Sequence, residues 1–438
     1  MSSLIWNKEY ECLPRPEIEK LQLQRLKEVV SKVYEKVPFY RDLYDQHGVR
    51  PDMIKELTDI SKLPLTTKSA MRDNYPYGLF AEPLEKMVRL HASSGTTGKP
   101  IVAGYTRKDL ENWAELIARI VFQAGVTSRD IAQICFNYAL FTGGFGLHYG
   151  LEKAGVTVIP ASSGNSEKQL TLMQDFGTTV LVSTPSYALY LAEIAEEAGI
   201  NPANLKVKFG LFGGEACSAA TREVIEKRWQ MKATINYGLT EVMGPGVSGE
   251  CRQGEGMHIS EDHFLAEIID PVTEQPLGWG ETGELVLTTL TKEGMPVIRY
   301  RTRDLCLLDP APCACGRTTV RMGHIKGRSD DMLIINGVNV FPSQVETVLA
   351  EIPEVSSYYR IIVDRKRYLD RLDVEVELAE DKAHVFLEKY HDLETLETRI
   401  QERLKAVLSI SAKIKLLEPK SIKRSTGKTE HIIDRRTD

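Results

Sequence analysis

Residues 179–212 read TVLVSTPSYALYLAEIAEEAGINPANLKVKFGLF, and their pattern indicates the fold class. Apolar runs at 179–183 and 206–212 indicate buried strands, and residues 186–198 between them have the spacing of an amphipathic helix. Strands that alternate with such helices are typical of a parallel sheet covered by helices. This stretch therefore predicts an α/β architecture.

The same alternation continues in both directions along the chain. The further predicted elements are strands at 131–136 and 156–159 and helices at 166–176 and 219–229. An earlier helix should follow Thr106, because Asp109 stands three residues on, as in a capping box. Ligands of such sheets bind in loops beyond the carboxyl ends of the strands, so functional loops are expected there.

The chain changes character after residue 260. Consecutive strand patterns predict a β-rich subdomain over about 260–326, and the remainder predicts two helices on about three antiparallel strands. We therefore expect a large N-terminal α/β domain, residues 1–328, of helix-covered, mostly parallel sheets, and a small α+β C-terminal domain, residues 329–438. An amphipathic helix predicted at 17–36 needs a partner surface, which favours a homodimer.

Composition excludes several classes of protein. Hydrophobic residues make up 42% and charged residues 26%, which is typical of globular chains. Fifty-five basic against 61 acidic residues give a net charge of −6, so a nucleic-acid partner is not expected. We also expect no membrane partner and a cytoplasmic location, because no apolar run or signal-peptide pattern is present. Seven cysteines, an odd number, favour reduced thiols.

A polar, glycine-rich loop is the sharpest feature of the sequence. It reads Ser93-Ser94-Gly95-Thr96-Thr97-Gly98-Lys99-Pro100. Its backbone N–H groups and hydroxyls suit phosphate oxygens, although the spacing of Lys99 excludes a Walker A loop. The alternative is a solvent-exposed linker.

Four later segments, together with this loop, carry a family resemblance. They are Asn236-Tyr237-Gly238-Leu239-Thr240-Glu241, Tyr300-Arg301-Thr302-Arg303-Asp304, Gly327-Arg328-Ser329-Asp330-Asp331 and Arg424-Ser425-Thr426-Gly427-Lys428. In this order they resemble the motifs of the adenylate-forming superfamily of acyl-CoA synthetases, adenylation domains and luciferases. His91-Ala92 and residues 145–150 further resemble the phenylacetate–CoA ligase group. Two positions depart from the family pattern: Arg303 replaces a glycine, and Ala216 replaces a proline.

The resemblance implies an ATP site with Mg²⁺. Phosphate contacts would come from Ser93, Ser94, Gly95, Thr96, Thr97, Gly98, Lys99 and Thr240, and Glu241 would hold magnesium. Adenine and ribose contacts would come from Gly214, Glu215, Ala216, Asn236, Tyr237, Gly238, Asp304 and Arg328. Read without the resemblance, Thr240-Glu241 is a helix cap, Asp304 a turn residue and Tyr237 a core residue.

The resemblance also assigns catalysis, domain movement and acid binding. Lys428 would be the catalytic lysine, with Thr240 and Glu241 assisting, and a solvated tail lysine is the alternative. Asp330 would be the hinge about which a mobile C-terminal domain rotates, and a surface ion pair with Arg328 is the alternative. The acid would lie against Tyr138, Phe141, Phe145 and Gly214, unless these aromatic residues belong to the core.

Four residues predict a structural zinc site. Cys251 and His258 are seven residues apart, and Cys313 and Cys315 are two apart, all in loop-like sequence. Three thiolates and an imidazole complete a tetrahedral Cys₃His set. Unliganded thiols are the alternative, with His263 and Cys306 as replacement ligands.

The predicted function is an ATP-dependent aryl-acid–CoA ligase of phenylacetate-like specificity. It would form an acyl-adenylate from ATP and a small carboxylic acid, transfer the acyl group to coenzyme A, and release AMP and pyrophosphate. A coenzyme F390 synthetase-like adenylyltransferase and a non-catalytic nucleotide-binding protein are the alternatives.

Overall fold

A computed structural model describes residues 4–93, 100–330, 333–335, 338–366, 369–380, 382, 390–408, 410–424 and 431–436. The helices in these ranges are α1 Lys8–Glu11, α2 Arg15–Lys36, α3 Pro38–Gln46, α4 Lys68–Asp73, α5 Arg107–Ala124, α6 Thr142–Lys153, α7 Ser166–Phe176, α8 Pro185–Glu197, α9 Ala219–Trp229, α10 Pro342–Ala350 and α11 Tyr390–Leu408. No helix within these described ranges is both long and apolar enough to cross a bilayer.

Strands alternate with these helices and then follow each other directly. They are β1 Arg89–Ala92, β2 Val102–Tyr105, β3 Ile131–Ile134, β4 Thr157–Ile159, β5 Val180–Ser183, β6 Phe209–Phe212, β7 Lys232–Leu239, β8 Gly244–Glu250, β9 Met257–Ile259, β10 Phe264–Ile269, β11 Gly283–Thr289, β12 Tyr300–Cys306, β13 Leu308–Asp309, β14 Arg321–Met322, β15 Gly327–Arg328, β16 Leu333–Ile335, β17 Val338–Val340, β18 Val355–Lys366, β19 Leu369–Leu378, β20 Ala412–Leu417 and β21 Ile432–Asp434.

The largest sheet contains the predicted parallel core. Over the described residues its strand order is β13-β14-β9-β8-β7-β6-β5-β3-β4, and every pair from β7 to β4 is parallel. The pairs from β7 to β13 are antiparallel. The predicted α/β class is confirmed, and the sheet is parallel in one half only.

A local signal starts α5 where the sequence predicts it. The Thr106 hydroxyl accepts from the Asp109 N–H at 3.1 Å, and the Asp109 carboxylate accepts from the Thr106 N–H at 3.0 Å. This capping box starts α5, and Gly125 ends it at a φ of +90°. An L side chain rarely adopts that conformation, so glycine favours this stop.

A second sheet, β10-β11-β12-β15, is antiparallel throughout and forms the predicted β-rich region. Its last pair places Asp304 opposite Arg328. The C-terminal sheet has the order β20-β19-β18-β21 and differs from the expected antiparallel arrangement. Only β18 and β19 run antiparallel, whereas β20 and β21 add in parallel at the two edges.

Two separate apolar cores accompany these sheets. One cluster of buried side chains runs from Leu26 to Met322, and the other runs from Leu333 to Ile414. Helix α2 belongs to the first core, where Leu26, Val30 and Val33 are fully buried. The predicted amphipathic helix therefore finds its partner surface within its own chain, which removes the sequence argument for a homodimer.

Candidate active site

A cavity of about 650 Å³ lies at the carboxyl ends of β6 and β7. Eight of the residues predicted to bind nucleotide line it: Gly214, Glu215, Ala216, Asn236, Tyr237, Gly238, Asp304 and Arg328. The opposite wall comes from the C-terminal part of the chain and includes Tyr358 and His431. Its volume is in the usual range for small-molecule sites.

The glycine turn after β6 is held in place from two sides. A side chain at Gly213 would put a Cβ atom 2.8 Å from the Asn236 carbonyl, and Gly214 has a φ of +85°. Both positions therefore favour glycine. The Glu215 carboxylate accepts from the Ser186 N–H at 2.7 Å, which ties the turn to the first residues of α8.

Asp304 is the centre of the polar contacts in the cavity. Its Oδ2 accepts from the Tyr237 hydroxyl at 2.6 Å, and its Oδ1 accepts from Arg328 Nη1 at 3.0 Å. Burial, together with the Asp304 carboxylate, raises the pKa of Tyr237 well above its usual value. Tyr237 therefore stays protonated and keeps its role as a donor.

Arg328 links this centre to the predicted hinge. Its Nε and Nη2 each donate to a different oxygen of Asp330, at 2.9 Å. The preceding residue, Ser329, is anchored by its N–H on the Arg303 carbonyl at 2.7 Å and by its hydroxyl on Glu284 at 3.1 Å. Ser329 is thus hydrogen-bonded to the N-terminal domain, whereas the Asp330 side chain is held by Arg328.

Thr240 and Glu241 lie side by side in a buried turn after β7. Their exposed fractions are 8% and 6%. The Thr240 hydroxyl lies 3.3 Å from that of Thr142, at the start of α6, and Lys68 Nζ lies 3.5 Å from Glu241. The phosphate and Mg²⁺ contacts assigned to Thr240 and Glu241 stay predictions.

Three buried donors hold the backbone of this turn, and sequence reasoning did not identify them. Lys292 Nζ donates to the Val242 carbonyl at 2.8 Å, the Tyr105 hydroxyl to Met243 O at 2.9 Å, and Trp113 Nε1 to Pro245 O at 2.6 Å. The Lys292 ammonium also lies 4.3 Å from the centre of the Tyr105 ring. Burial lowers the pKa of Lys292 to about 8.

The predicted acid-binding aromatics take part in two separate ring contacts. Tyr138 and Phe145 pack edge to face with their centroids 5.2 Å apart. The ring centroids of Phe141 and Phe136 are 6.0 Å apart. A Cβ atom at Gly214 would lie 3.8 Å from the Phe136 ring, so Phe136 stands between Phe141 and the glycine turn. Gly214 is the member of the predicted set that lines the 650 Å³ cavity, and Phe141 approaches it through Phe136.

The predicted phosphate loop is described only at its base. The Ser93 hydroxyl accepts from the Ile101 N–H at 3.0 Å, and the Ser93 N–H donates to the Ile101 carbonyl at 2.9 Å. These two bonds bring the ends of the loop together. Ser94 to Lys99 and the predicted catalytic residue Lys428 lie outside the described residues.

The four predicted zinc ligands come together. Their candidate ligand atoms all lie within 4.8 Å of one another. The Cys251 and Cys313 sulfurs are 3.7 Å apart, and the Cys315 sulfur is 3.4 Å from His258 Nε2. His258 Nδ1 lies 3.1 Å from the Thr319 hydroxyl, which leaves Nε2 facing the sulfurs. Hydrogen bonds with Cys251 and His258 lower the pKa of Cys315.

Two cavity residues gave no usable signal in the sequence. His324 and Ile325 line the wall just before β15. His324 Nε2 lies 2.5 Å from Glu250, which also accepts from Arg222 at 2.8 Å. A residue outside a motif can be recognised as part of the cavity only once the fold shows which strands bring it there.

Comparison with known proteins agrees with this geometry. Residues 34–290 match the family of AMP-binding enzymes, and residues 337–436 match the AMP-binding enzyme C-terminal domain. Phenylacetate-coenzyme A ligase of Thermus thermophilus is 46% identical, over 99% of this chain and 100% of its own. Phenylacetate-coenzyme A ligase of Aromatoleum evansii is 49% identical, over 97% and 96%.

One enzyme, solved in two states, superposes on this structure to different degrees. 2-Hydroxyisobutyryl-CoA ligase in its postadenylation state superposes with a TM-score of 0.93, at 29% identity over 99% of this chain and 93% of that one. In its thioester-forming state the TM-score is 0.73, at the same identity and with 99% and 92% coverage. The chain belongs to the AMP-binding enzyme family, in the group of AMP-forming acid–CoA ligases that contains the phenylacetate-coenzyme A ligases.

Proposed function

We propose that this protein joins an aryl acid of the phenylacetate type to coenzyme A at the expense of ATP. The observation that carries the proposal is that the Gly214 turn, Tyr237, Asp304 and Arg328 converge on one cavity closed by the C-terminal part of the chain. Relatives with the same activity extend over nearly the full chain, which supports the substrate class.

The reaction proceeds in two balanced steps. In the first, a carboxylate oxygen of the acid attacks the α-phosphorus of ATP, and the bond to the bridging oxygen breaks to release pyrophosphate. In the second, the thiol sulfur attacks the acyl carbon, AMP leaves with the anhydride oxygen, and the thiol proton is lost. Because the first step brings two anions together, positioning and charge neutralisation are its main requirements.

The cavity residues hold the nucleoside in this proposal. The Asp304 carboxylate accepts the ribose hydroxyls, since its two oxygens have lone pairs left after their contacts with Tyr237 and Arg328. Tyr237 stacks on adenine beside Gly214, Glu215, Ala216, Asn236 and Gly238, and its hydroxyl bond to Asp304 fixes the plane of the ring.

The turn at Thr240 and the loop from Ser93 to Lys99 serve the phosphates. Thr240 donates to the α-phosphate, and the loop holds the β- and γ-phosphates. Glu241 is the chain's ligand for Mg²⁺, a hard cation that prefers carboxylate oxygen and neutralises phosphate charge when bound. The buried position of Glu241 suits this role, because charge interactions are stronger away from water.

Lys428 serves the adenylation step, and Asp330 allows the change to the thioester step. The Lys428 ammonium stabilises the charge that gathers between carboxylate and α-phosphate, and the C-terminal domain, residues 329–438, then rotates about Asp330 to admit the thiol. Two features support this division: the apolar cores are separate, and the two arrangements of 2-hydroxyisobutyryl-CoA ligase fit this structure unequally.

The acid lies against Tyr138, Phe141, Phe145 and Gly214. An aromatic cluster next to the α-phosphate turn favours an aryl ring over a long aliphatic chain. Thr142, at the start of the helix that carries Phe145, contacts Thr240, so the cluster adjoins the reacting phosphate.

Product analysis tests the proposed function. Purified protein is supplied with ATP, Mg²⁺ and phenylacetate, benzoate or octanoate, with and without coenzyme A. We expect acyl-CoA, and repeated turnover to AMP and pyrophosphate, only with all substrates present, and fastest with phenylacetate. Transfer of AMP to a hydroxyl group, with no requirement for coenzyme A, would favour an adenylyltransferase instead. Pyrophosphate exchange that no acid stimulates would favour a nucleotide-binding protein.

We also propose that Cys251, His258, Cys313 and Cys315 bind a structural zinc ion. Tetrahedral zinc with Zn–S bonds of roughly 2.3 Å places its sulfurs roughly 3.8 Å apart, close to the 3.7 Å separating Cys251 and Cys313. The Thr319 contact orients His258 as an outer partner of a metal ligand does. Metal analysis should find about one zinc per chain, lost in Cys313→Ser and retained in Cys12→Ser.

Cytoplasmic location and a homodimer remain proposals from composition and family resemblance. Light scattering on the purified protein measures the mass in solution directly. A mass of one chain at micromolar concentration would contradict the homodimer.

A further inference from the structure

Arg424 lies four residues before Lys428 and is clamped within the C-terminal part. Its Nη1 and Nη2 donate to the two oxygens of Glu377 at 2.8 and 2.9 Å, and Glu377 is 1% exposed. Glu377 also accepts from the N–H groups of Lys420 and Ile422. One buried carboxylate therefore holds residues 420–424 together.

The other face of Arg424 connects it to the large part of the molecule. Its guanidinium carbon lies 3.3 Å from the centre of the Tyr358 ring. The Tyr358 hydroxyl donates to Glu193, on α8, at 3.3 Å. Stacking of arginine on an aromatic ring is favourable and directional, so Tyr358 transmits the position of α8 to Arg424.

A second contact reaches the same helix one turn further on. Lys420 forms an ion pair with Glu197, and Glu193 and Glu197 share one face of α8 because they are four residues apart. Glu197 and Lys420 are about half exposed, so this pair contributes little alone. The Glu193 side chain is only 23% exposed, and burial raises its pKa.

Helix α8 is in turn bonded to the nucleotide cavity. Its Ser186 N–H donates to Glu215, in the turn proposed to contact adenine. A continuous series of contacts therefore runs from that turn through α8, Glu193 and Tyr358 to Arg424. The contact between Glu193 and Tyr358 belongs to the arrangement that this structure shares more closely with a postadenylation state than with a thioester-forming one.

We propose that Glu193 and Tyr358 are positioning residues for the first half-reaction. They seat Arg424, and through it the segment that carries Lys428, only when the C-terminal part is docked on α8. The inference rests on the proposed function, because it assigns the two residues to the adenylation step and not to the thioester step.

Two conservative variants separate the contacts. Tyr358→Phe keeps the ring under Arg424 but removes the hydroxyl bond to Glu193, and Glu193→Gln keeps the size of the side chain but removes its charge. Glu196→Gln is the matched control, because Glu193 and Glu196 lie on the same helix and both pair with Arg228. The control therefore removes a carboxylate charge beside Arg228 but leaves the hydrogen bond between Tyr358 and Glu193 in place.

Each half-reaction is then measured separately in all four proteins. Adenylation is followed by acid-dependent ATP–pyrophosphate exchange, and thioester formation by the reaction of supplied acyl-adenylate with coenzyme A. We expect adenylation to fall about tenfold in Tyr358→Phe and Glu193→Gln, with thioester formation within twofold of wild type. Glu196→Gln should match wild type in both assays.

The outcome distinguishes this inference from the proposed function. A wild-type protein that forms no acyl-CoA would overturn the proposed function. If wild type forms acyl-CoA but the two variants lose both half-reactions equally, or lose neither, the positioning role is overturned. Thermal melting of each variant verifies that the proteins compared are folded.

Discussion

The nucleotide wall and the boundary with the C-terminal part are built on different principles. In the wall, Asp304, Tyr237 and Asn236 lie on paired strands, and the buried Asp304 carboxylate accepts hydrogen bonds from Tyr237 and Arg328. The Asn236 side chain donates to the Phe212 carbonyl. At the boundary, the contacts are polar and partly exposed: Tyr358 with Glu193, Glu346 with Thr221, Lys420 with Glu197, and Ser343 with the Lys326 carbonyl.

This difference shows which part of the molecule is suited to move. Water can replace the partners of an exposed polar contact at small cost, whereas opening a shared apolar core exposes apolar surface. The two cores found over the described residues do not merge. A rigid wall for the nucleotide and a releasable boundary for the second domain match an enzyme with two successive half-reactions.

Removal of the Lys428 ammonium should produce the largest effect. We expect Lys428→Ala to slow adenylation by about 10² to 10³, the usual cost of losing one preorganised electrostatic group. Thioester formation from supplied acyl-adenylate should stay within a few-fold of wild type, because that step does not need this cation. Lys423→Ala, a nearby lysine, serves as the control, and equal losses in both half-reactions would contradict the assignment.

Stiffening the hinge should slow thioester formation more than adenylation. Asp330→Pro fixes φ and removes a residue that Arg328 holds through two bonds at 2.9 Å. We expect thioester formation to fall by about 10², while acid-dependent pyrophosphate exchange persists. Asp330→Ala separates the loss of the ion pair from the loss of rotation and should retain most of the second step. Normal thioester turnover in Asp330→Pro would count against the hinge.

Local elements were predictable from the sequence where the signals are local. Helices α7 and α9 cover 166–176 and 219–229, the ranges that their apolar spacing predicts. Asn165 caps α7, and Gly177 ends it in the left-handed region. Burial and strand direction were less accessible: acidic and apolar residues alternate along β19 as in a strand with one solvent-facing side, yet Glu375 and Glu377 are 8% and 1% exposed. Nothing in the pattern indicates that β20 pairs in parallel.

The residues of the candidate site were likewise predictable only where a sequence motif marks them. Motifs located eight cavity residues, because their residue types and order are characteristic. Lys292, His324 and Tyr358 carry no motif of their own, and each becomes relevant only through a distant partner: Val242, Glu250 and Glu193. Such pairings depend on the tertiary fold, which a periodic pattern does not encode.

Weakening the nucleotide wall should mainly affect ATP binding. Asp304→Asn leaves one acceptor oxygen and removes the ion pair with Arg328 at 3.0 Å. We expect KM for ATP to rise about tenfold to thirtyfold, with a smaller change in kcat. Asp309→Asn is the control, because Asp309 pairs with Arg321 instead of lining the cavity. A change in kcat alone would contradict a ribose-binding role.

The smallest effect concerns Lys292 beneath the phosphate turn, and it depends on pH. Burial lowers the pKa of Lys292 to about 8, whereas in the unfolded chain it is about 10.4. Between these values the unfolded state binds more protons, so this group makes the folded state more stable as pH rises. The Tm of wild type should therefore increase relative to that of Lys292→Met between pH 8 and pH 10, by a few degrees at most.

Lys232→Met provides the control for that comparison, because Lys232 is 43% exposed and pairs with Glu226 at the surface. Its Tm difference from wild type should not change in this direction over the same interval. A flat difference for Lys292→Met would mean that the ammonium is not desolvated in the folded protein. The Val242 carbonyl would then accept from an ammonium that stays hydrated. In that case the contacts beneath the Thr240 turn would resemble the partly exposed contacts of the boundary more than the buried contacts of the nucleotide wall.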